Sequence, residues 1–237
     1  MRRKKFWLGG LLWLIPATWL AAAAVSFQVD VTSRYIWRGF DLFAPNRPAL
    51  QPAITWEFDP TGFALNVWCS FPLRPSDRWG DLAEIDLALE YSVAAANGVE
   101  ISAGVTHYGY FFARGYTFED NSSHEVFVSA ALTKAFGEPA LTIFYDFHQG
   151  DGWYLQLSAS RDQVIASGWE VSLAAALGYN IHQFISTSGL SDLMVTLALR
   201  HSIGRFTISP FMSYGRVFLD EVNPDHDEVW FGLSLTG

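Results

Sequence analysis

Between Phe27 and Arg38 the odd positions hold Phe27, Val29, Val31, Ser33, Tyr35 and Trp37, and the even ones hold Gln28, Asp30, Thr32, Arg34, Ile36 and Arg38. An apolar and a polar face repeating every two residues predict a β-strand over 27–38. The alternation returns along the chain. Leu50, Ile54, Trp56 and Phe58 oppose Gln51, Thr55 and Glu57 in 49–58, and Phe63, Leu65, Val67, Cys69 and Phe71 oppose Asn66, Trp68 and Ser70 in 63–71. In 83–93, Ile85, Leu87, Leu89, Tyr91 and Val93 oppose Glu84, Asp86, Glu90 and Ser92. Further strands are predicted over 99–108, 124–133, 140–148, 153–160, 169–181, 191–200, 205–214 and 228–236, twelve in all.

Alternation alone fits a soluble sandwich as well as a membrane barrel, since each has one apolar and one polar face. Three further patterns separate them. None of the twelve apolar faces carries Asp, Glu, Lys or Arg, as a lipid-facing surface requires when a basic residue at the bilayer midplane costs about 2–4 kcal/mol. Connections alternate between long (39–47, 72–81, 109–122, 182–190, 215–227) and short (59–62, 94–98, 134–139, 201–204), with one reversed pair at 149–152 and 161–168. Long outer loops and tight periplasmic turns characterise outer-membrane barrels. Aromatics gather at strand ends: Phe27, Phe58, Phe63, Tyr91, Trp169 and Phe206 at one rim, and Trp37, Phe71, Phe147, Trp153, Tyr179 and Tyr214 at the other. Such girdles suit the two bilayer interfaces. The fold class predicted is an all-β transmembrane antiparallel barrel of about twelve strands, whose even strand number returns both ends to the periplasm.

Composition agrees. Half the chain is hydrophobic and only 16% is charged, too apolar for a disordered chain. The mean hydropathy of +0.15 suggests a membrane, yet after residue 24 there is no apolar run of the roughly 18 residues that a spanning helix needs. One cysteine excludes a disulfide framework and a cysteine-based zinc site. The chain opens with Arg2-Arg3-Lys4-Lys5, an apolar stretch from Phe6 to Leu20, and Ala21 to Ala24. These are the parts of a secretory signal peptide, so the expected organisation is a cleaved signal peptide at 1–24 and a barrel at 25–237. Without the four basic residues of that leader, 11 Lys and Arg stand against 24 Asp and Glu, a net charge of −13. That surface repels nucleic acid.

The early strands also carry local motifs: Ser33-Arg34-Tyr35-Ile36-Trp37-Arg38-Gly39, Pro48-Ala49-Leu50-Gln51, Gly62-Phe63 leading to Trp68-Cys69-Ser70, and Glu84-Ile85-Asp86 leading to Glu90-Tyr91. Over this first third of the mature chain the sequence resembles the TorF family of outer-membrane porins, proteobacterial-type proteins otherwise described as conserved hypotheticals. The resemblance implies an outer-membrane barrel with a pore, and supplies no catalytic or binding residues. Two departures stand out. Trp68-Cys69-Ser70-Phe71 replaces an expected glycine and asparagine, and the last strand runs through Val229, Phe231, Leu233 and Leu235 to Gly237, where such barrels tend to end in an aromatic residue read by the insertion machinery.

Parity places Asp30, Glu57, Glu84, Asp86, Glu90, Glu100, Glu125, Asp146, Glu170, Asp192 and Glu228 in the lumen with Arg34, Arg38, Arg200 and Arg205. Eleven acids facing four arginines would enrich cations along a narrow passage. Trp68, Phe127, Phe144, Tyr154, Phe211 and Trp230 also point inward. Barrels of about 8 strands are filled by side chains and those of about 16 hold a channel, so twelve leaves both an open and a closed lumen in play.

Other chemistry is weaker. His201-Ser202 is an adjacent His/Ser pair, but strand neighbours point to opposite faces and no carboxylate completes a nucleophilic set. Asp225-His226-Asp227-Glu228 and Glu119-Asp120 supply oxygens suited to a hard cation without a known loop pattern. Asn121-Ser122-Ser123 matches a glycosylation acceptor by chance. The expectation is therefore an outer-membrane porin without catalysis, metal or cofactor, passing small hydrophilic solutes with a weak cation preference. Its partners would be outer-membrane lipid, those solutes or cations, and the barrel-assembly machinery. The alternative is a closed barrel acting through its loops, and a lipid-modifying enzyme ranks below both.

Overall fold

The computed structural model describes residues 23–43, 47–74, 82–112 and 122–237. All but the last two residues of the expected signal peptide lie outside these. In chain order the strands are β1 (Ala23–Thr32), β2 (Ile36–Trp37), β3 (Phe40–Asp41), β4 (Ala49–Phe58), β5 (Phe63–Pro72), β6 (Leu82–Ala94) and β7 (Val99–Phe112). They continue with β8 (Ser122–Leu132), β9 (Ala140–Asp146), β10 (Gly152–Ala166), β11 (Trp169–Ile181), β12 (Ser188–Ile203), β13 (Phe206–Val217) and β14 (Asp227–Thr236). All but β2 and β3 form one closed antiparallel barrel of twelve strands. It is sealed where β1 meets β14, from Gln28 opposite Thr236 to Thr32 opposite Gly232. Closure leaves no strand edge unpaired toward lipid. No described helix is long and apolar enough to cross a membrane.

The outer surface is the apolar parity of each strand. Phe63, Leu89, Val128, Leu157, Leu173, Leu197, Met212 and Phe231 are all exposed there. Among the rim aromatics Tyr91, Trp169 and Phe206 sit at the end of the short turns, periplasmic in the expected topology, and Phe71, Trp153, Tyr179 and Tyr214 at the opposite, outer end of that topology, all exposed. Two strands run farther than predicted and bring charge onto that parity. Arg161 lies on the periplasmic extension of β10 with its guanidinium over Phe136, and Arg216 pairs with Asp227 at the outer rim. Both lie at strand ends, where the cost of charge falls away.

The first predicted strand is corrected. β1 stops at Thr32, and the chain then turns inward to form the β2–β3 hairpin, Ile36 opposite Asp41 and Trp37 opposite Phe40. The hairpin is made by a local turn: Arg38 and Gly39 have φ of 48° and 86°. A two-residue hairpin turn of this kind needs left-handed backbone at both central positions, which glycine adopts freely and arginine at a cost. Trp37 consequently lies in the lumen and not in the outer girdle, against Tyr108 and Phe184. Strand β10 runs to Ala166 and pairs with Trp169 of β11, so the expected eight-residue break at 161–168 is a two-residue turn. The loop between β9 and β10, at 147–151, remains short on the outer side.

The register also brings Gly237 against Phe27. Gly237 and Phe27 exchange backbone hydrogen bonds of 3.0 and 3.1 Å. A Cβ on Gly237 would lie 2.8 Å from both Phe206 and Phe27 ring atoms. The space a side chain at position 237 would enter is filled by that aromatic pair, whose ring centroids are 6.1 Å apart.

Candidate functional site

The site is the lumen, and its outer half is built around the tip of the β2–β3 hairpin. Arg38, 8% exposed, donates through Nη1 and Nη2 to the two oxygens of Glu125 at 2.6 and 2.9 Å, and through Nη1 to Gln183 Oε1 at 2.7 Å. Gln183 Nε2 and the Tyr108 hydroxyl donate to the same carboxylate at 2.8 and 2.9 Å. The guanidinium also lies 4.0 to 4.5 Å from the ring centroids of Trp37, Phe144 and Tyr154. A planar fork on a carboxylate, stacked on rings, is the arrangement arginine makes better than lysine. Barrel strands β8, β9 and β10 thus grip a loop residue by its charged end.

Other contacts fix the hairpin's sides. Arg34 pairs with Glu228, which also accepts a hydrogen bond from Asn223. Tyr35 packs against Phe43 and Trp68 at 5.2 and 5.4 Å and hydrogen-bonds Glu84. A Cβ on Gly39 would come within 3.2 Å of Asp192, Val217 and Val222. Around this plug Glu84, Glu125, Asp146, Asp192 and Glu228 are all at or below 2% exposed. Most of these carboxylates have hydrogen-bond donors, as burial demands. Tyr154 donates to Asp192 at 2.9 Å. Asp146 accepts from the Ser123 hydroxyl and from the backbone N–H of His148 and Gly150, so it caps an outer loop.

Below the hairpin the lumen opens toward the periplasmic end. A chamber of about 780 Å³ has Ile36 as part of its roof and Thr196, Ser209, Ser213, Ser234, Phe211 and Trp230 among its walls. A second space of about 470 Å³ lies beside the hairpin, between Trp37, Arg38 and the inner faces of β9 to β12, and shares Ile36, Met194 and Thr196 with the first. Arg200 in the chamber wall pairs with Asp162 and Glu170 at 2.6 and 2.9 Å. Asp30, also in the wall, accepts from Gln28.

The residues expected in the lumen therefore fall into groups. Glu84, Asp86, Glu125, Asp146, Asp192 and Glu228 surround the plug, joined by Arg34 and Arg38, which arrive on the inserted loop and not on a barrel strand. Asp30, Glu170 and Arg200 line the chamber. Glu90 accepts from Ser92 near the periplasmic end, and Glu57 and Glu100 are exposed there. Arg205 is in the β12–β13 turn, because β13 begins at Phe206, and its guanidinium lies over the Phe206 ring. Tyr108, Asn180, Gln183 and Asn223 complete the plug without a signal in the sequence beyond polarity. The acidic run near 225–228 does not converge. Asp227 holds Arg216, Glu228 holds Arg34, and His226 faces Asp220. Among the described residues no three metal-ligating side chains meet; Glu119, Asp120 and Asn121 lie outside them.

A family model described as "Bacterial protein of unknown function (Gcw_chp)" matches residues 17–199, so the chain belongs to that family. No curated protein matches it in sequence. Its fold is shared with solved outer-membrane barrels. A structure titled "KdgM porin" has a TM-score of 0.58 at 11% identity, covering 89% of this chain and 97% of its own. LpxR from Salmonella typhimurium gives 0.56 at 10% identity, covering 89% and 99%. A NanC porin structure gives 0.52 at 9% identity, covering 90% and 98%.

Proposed function

We propose that this member of the Gcw_chp family is an outer-membrane channel for small hydrophilic solutes, stoppered in its outer half by its own first loop. The observation that carries the reading is the hairpin tip in the lumen with a polar chamber beneath it. The chamber and the space beside the hairpin share Ile36, Met194 and Thr196 as lining residues, and in this reading the side chains of the hairpin tip border the route between them. Fold likeness to two porins supports the channel half of the reading. The finer TorF assignment rests on the four early motifs between Ser33 and Tyr91, the first of which forms the hairpin.

A weak cation preference follows from the excess of lumen carboxylates. In the chamber wall, among the described residues, Asp30 and Glu170 face Arg200 as the one lining arginine, and such an unbalanced wall favours cations over anions. The reading includes no catalysis. His201 stacks on Trp169 at 4.0 Å on the outer parity, whereas Ser202 lines the chamber and meets Thr207. The two side chains cannot act together.

Planar-bilayer recording of the refolded barrel tests the proposal. The intact chain should give small or infrequent conductance steps, and deletion of the hairpin tip should give larger, stable ones with a reversal potential set by cations. If the deleted form folds and remains silent, the barrel is closed and its role is structural.

A further inference from the structure

On the outer surface, away from the lumen, two histidines face each other across neighbouring strands. His107 of β7 and His124 of β8 are directly opposed in register. Both have the parity of Val105 and Val126, which are exposed on the outside of the barrel. Their rings are 4.9 Å apart and tilted by 35°, and their Nδ1 atoms are 3.2 Å apart. Two imidazole nitrogens on one tetrahedral ion, each bound at about 2.0–2.1 Å, stand about 3.3–3.4 Å apart. The observed spacing is within a few tenths of an ångström of that.

Strand geometry makes the pair rigid. Opposed positions on antiparallel strands are held by ladder hydrogen bonds on both sides, so the separation does not depend on a flexible loop. Phe147 stacks on His124 at 5.7 Å with the planes 19° apart. A third imidazole stands beside them: His148 is 5.4 Å from His124, ring to ring. Its Nδ1–H donates to the Ser122 carbonyl at 2.7 Å, which puts its lone pair on Nε2. Both His107 and His124 are half-buried at the outer end of the strands, within reach of water at the membrane interface.

We propose that His107 and His124 clamp one divalent transition-metal ion of the zinc class on the outer rim of the barrel, with water in its remaining positions. Neutral imidazoles without a carboxylate suit zinc and its neighbours better than calcium or magnesium. The competing account is a hydrogen bond from one neutral imidazole to the other with no ion.

Calorimetric titration of the refolded barrel with Zn²⁺, and absorption with Co²⁺ as a coloured substitute, separates these accounts. The expected result is one saturable equivalent with d–d bands of tetrahedral intensity. Both should be lost in His107→Ala and His124→Ala and kept in His182→Ala. His124→Phe keeps a ring against Phe147, so it guards against loss of binding through misfolding. If it folds and still binds one equivalent, or if the unaltered barrel shows no saturable binding, the proposal is overturned.

Discussion

Replacing Arg38 by alanine removes the group that ties the inserted hairpin to the barrel wall. Three hydrogen bonds go with it, two to Glu125 and one to Gln183, together with stacking on three rings. Glu125 keeps only Gln183 and Tyr108 as donors. Breaking one side of a buried ion pair typically costs about 3–5 kcal/mol, because the remaining charge stays desolvated. At about 1.4 kcal/mol per factor of ten, the docked hairpin loses roughly two to three and a half orders of magnitude in its equilibrium with an undocked one. No ladder hydrogen bond of the barrel uses the Arg38 side chain, so the barrel itself should fold. Bilayer conductance and amide hydrogen exchange over residues 33–43 together read the outcome. The expected result is faster exchange in that segment and larger, longer-lived conductance steps, with Arg38→Lys intermediate because an ammonium cannot make the fork. If exchange accelerates and conductance does not change, the hairpin is not what limits the route and the stopper account fails.

Three other substitutions follow from close approaches or loop contacts. In Gly178→Ala the new Cβ would lie 2.1 Å from the Tyr154 hydroxyl and 2.6 Å from Asp192 Oδ1, which should lower stability by about 1–3 kcal/mol in denaturant unfolding from vesicles. Adding Tyr154→Phe should recover only part of this, since a ring carbon at 2.6 Å remains. Gly237→Phe should reduce refolding yield into detergent, scored by heat-modifiable gel mobility, and Phe27→Ala in the same chain should restore it by vacating the space. Glu221, in the loop before β14, accepts from the Ser186 N–H and hydroxyl. These hold its carboxyl below the ordinary value, the backbone N–H contributing most. A lowered pKa means the tie is present above the ordinary carboxylate range and is lost as pH falls through the lowered value. Protection of the Ser186 amide against exchange should therefore fall on acidification, and Glu221→Gln should remove that dependence.

The barrel was legible because a lipid-facing surface imposes a two-residue period that most strands keep; the register shifts only at Val164–Ala166 of β10 and, between β11 and β12, beside Gly178 among the described residues. The failure at residues 33–38 is informative for the same reason. Ser33, Tyr35 and Trp37 continue the parity of Phe27 to Val31, so the pattern cannot tell a strand against lipid from a loop whose rings fill the lumen. What marks the hairpin is the Arg38-Gly39 turn, whose left-handed backbone is a signal separate from hydrophobicity. With that turn in place, Arg38 must project from a hairpin tip, and a buried guanidinium there requires a carboxylate and further acceptors. Glu125 sits in the predicted lumen set at a suitable height. Gln183 and Asn180 could not be read in the same way. Asn180 accepts from the Gln183 backbone N–H and donates to its carbonyl, each at 3.0 Å or less, so the glutamine's position depends on a loop conformation that carries no periodicity. The lumen charges divide on the same ground: parity states which side of a strand a carboxylate faces, while its partner is decided by a loop that returns through the barrel.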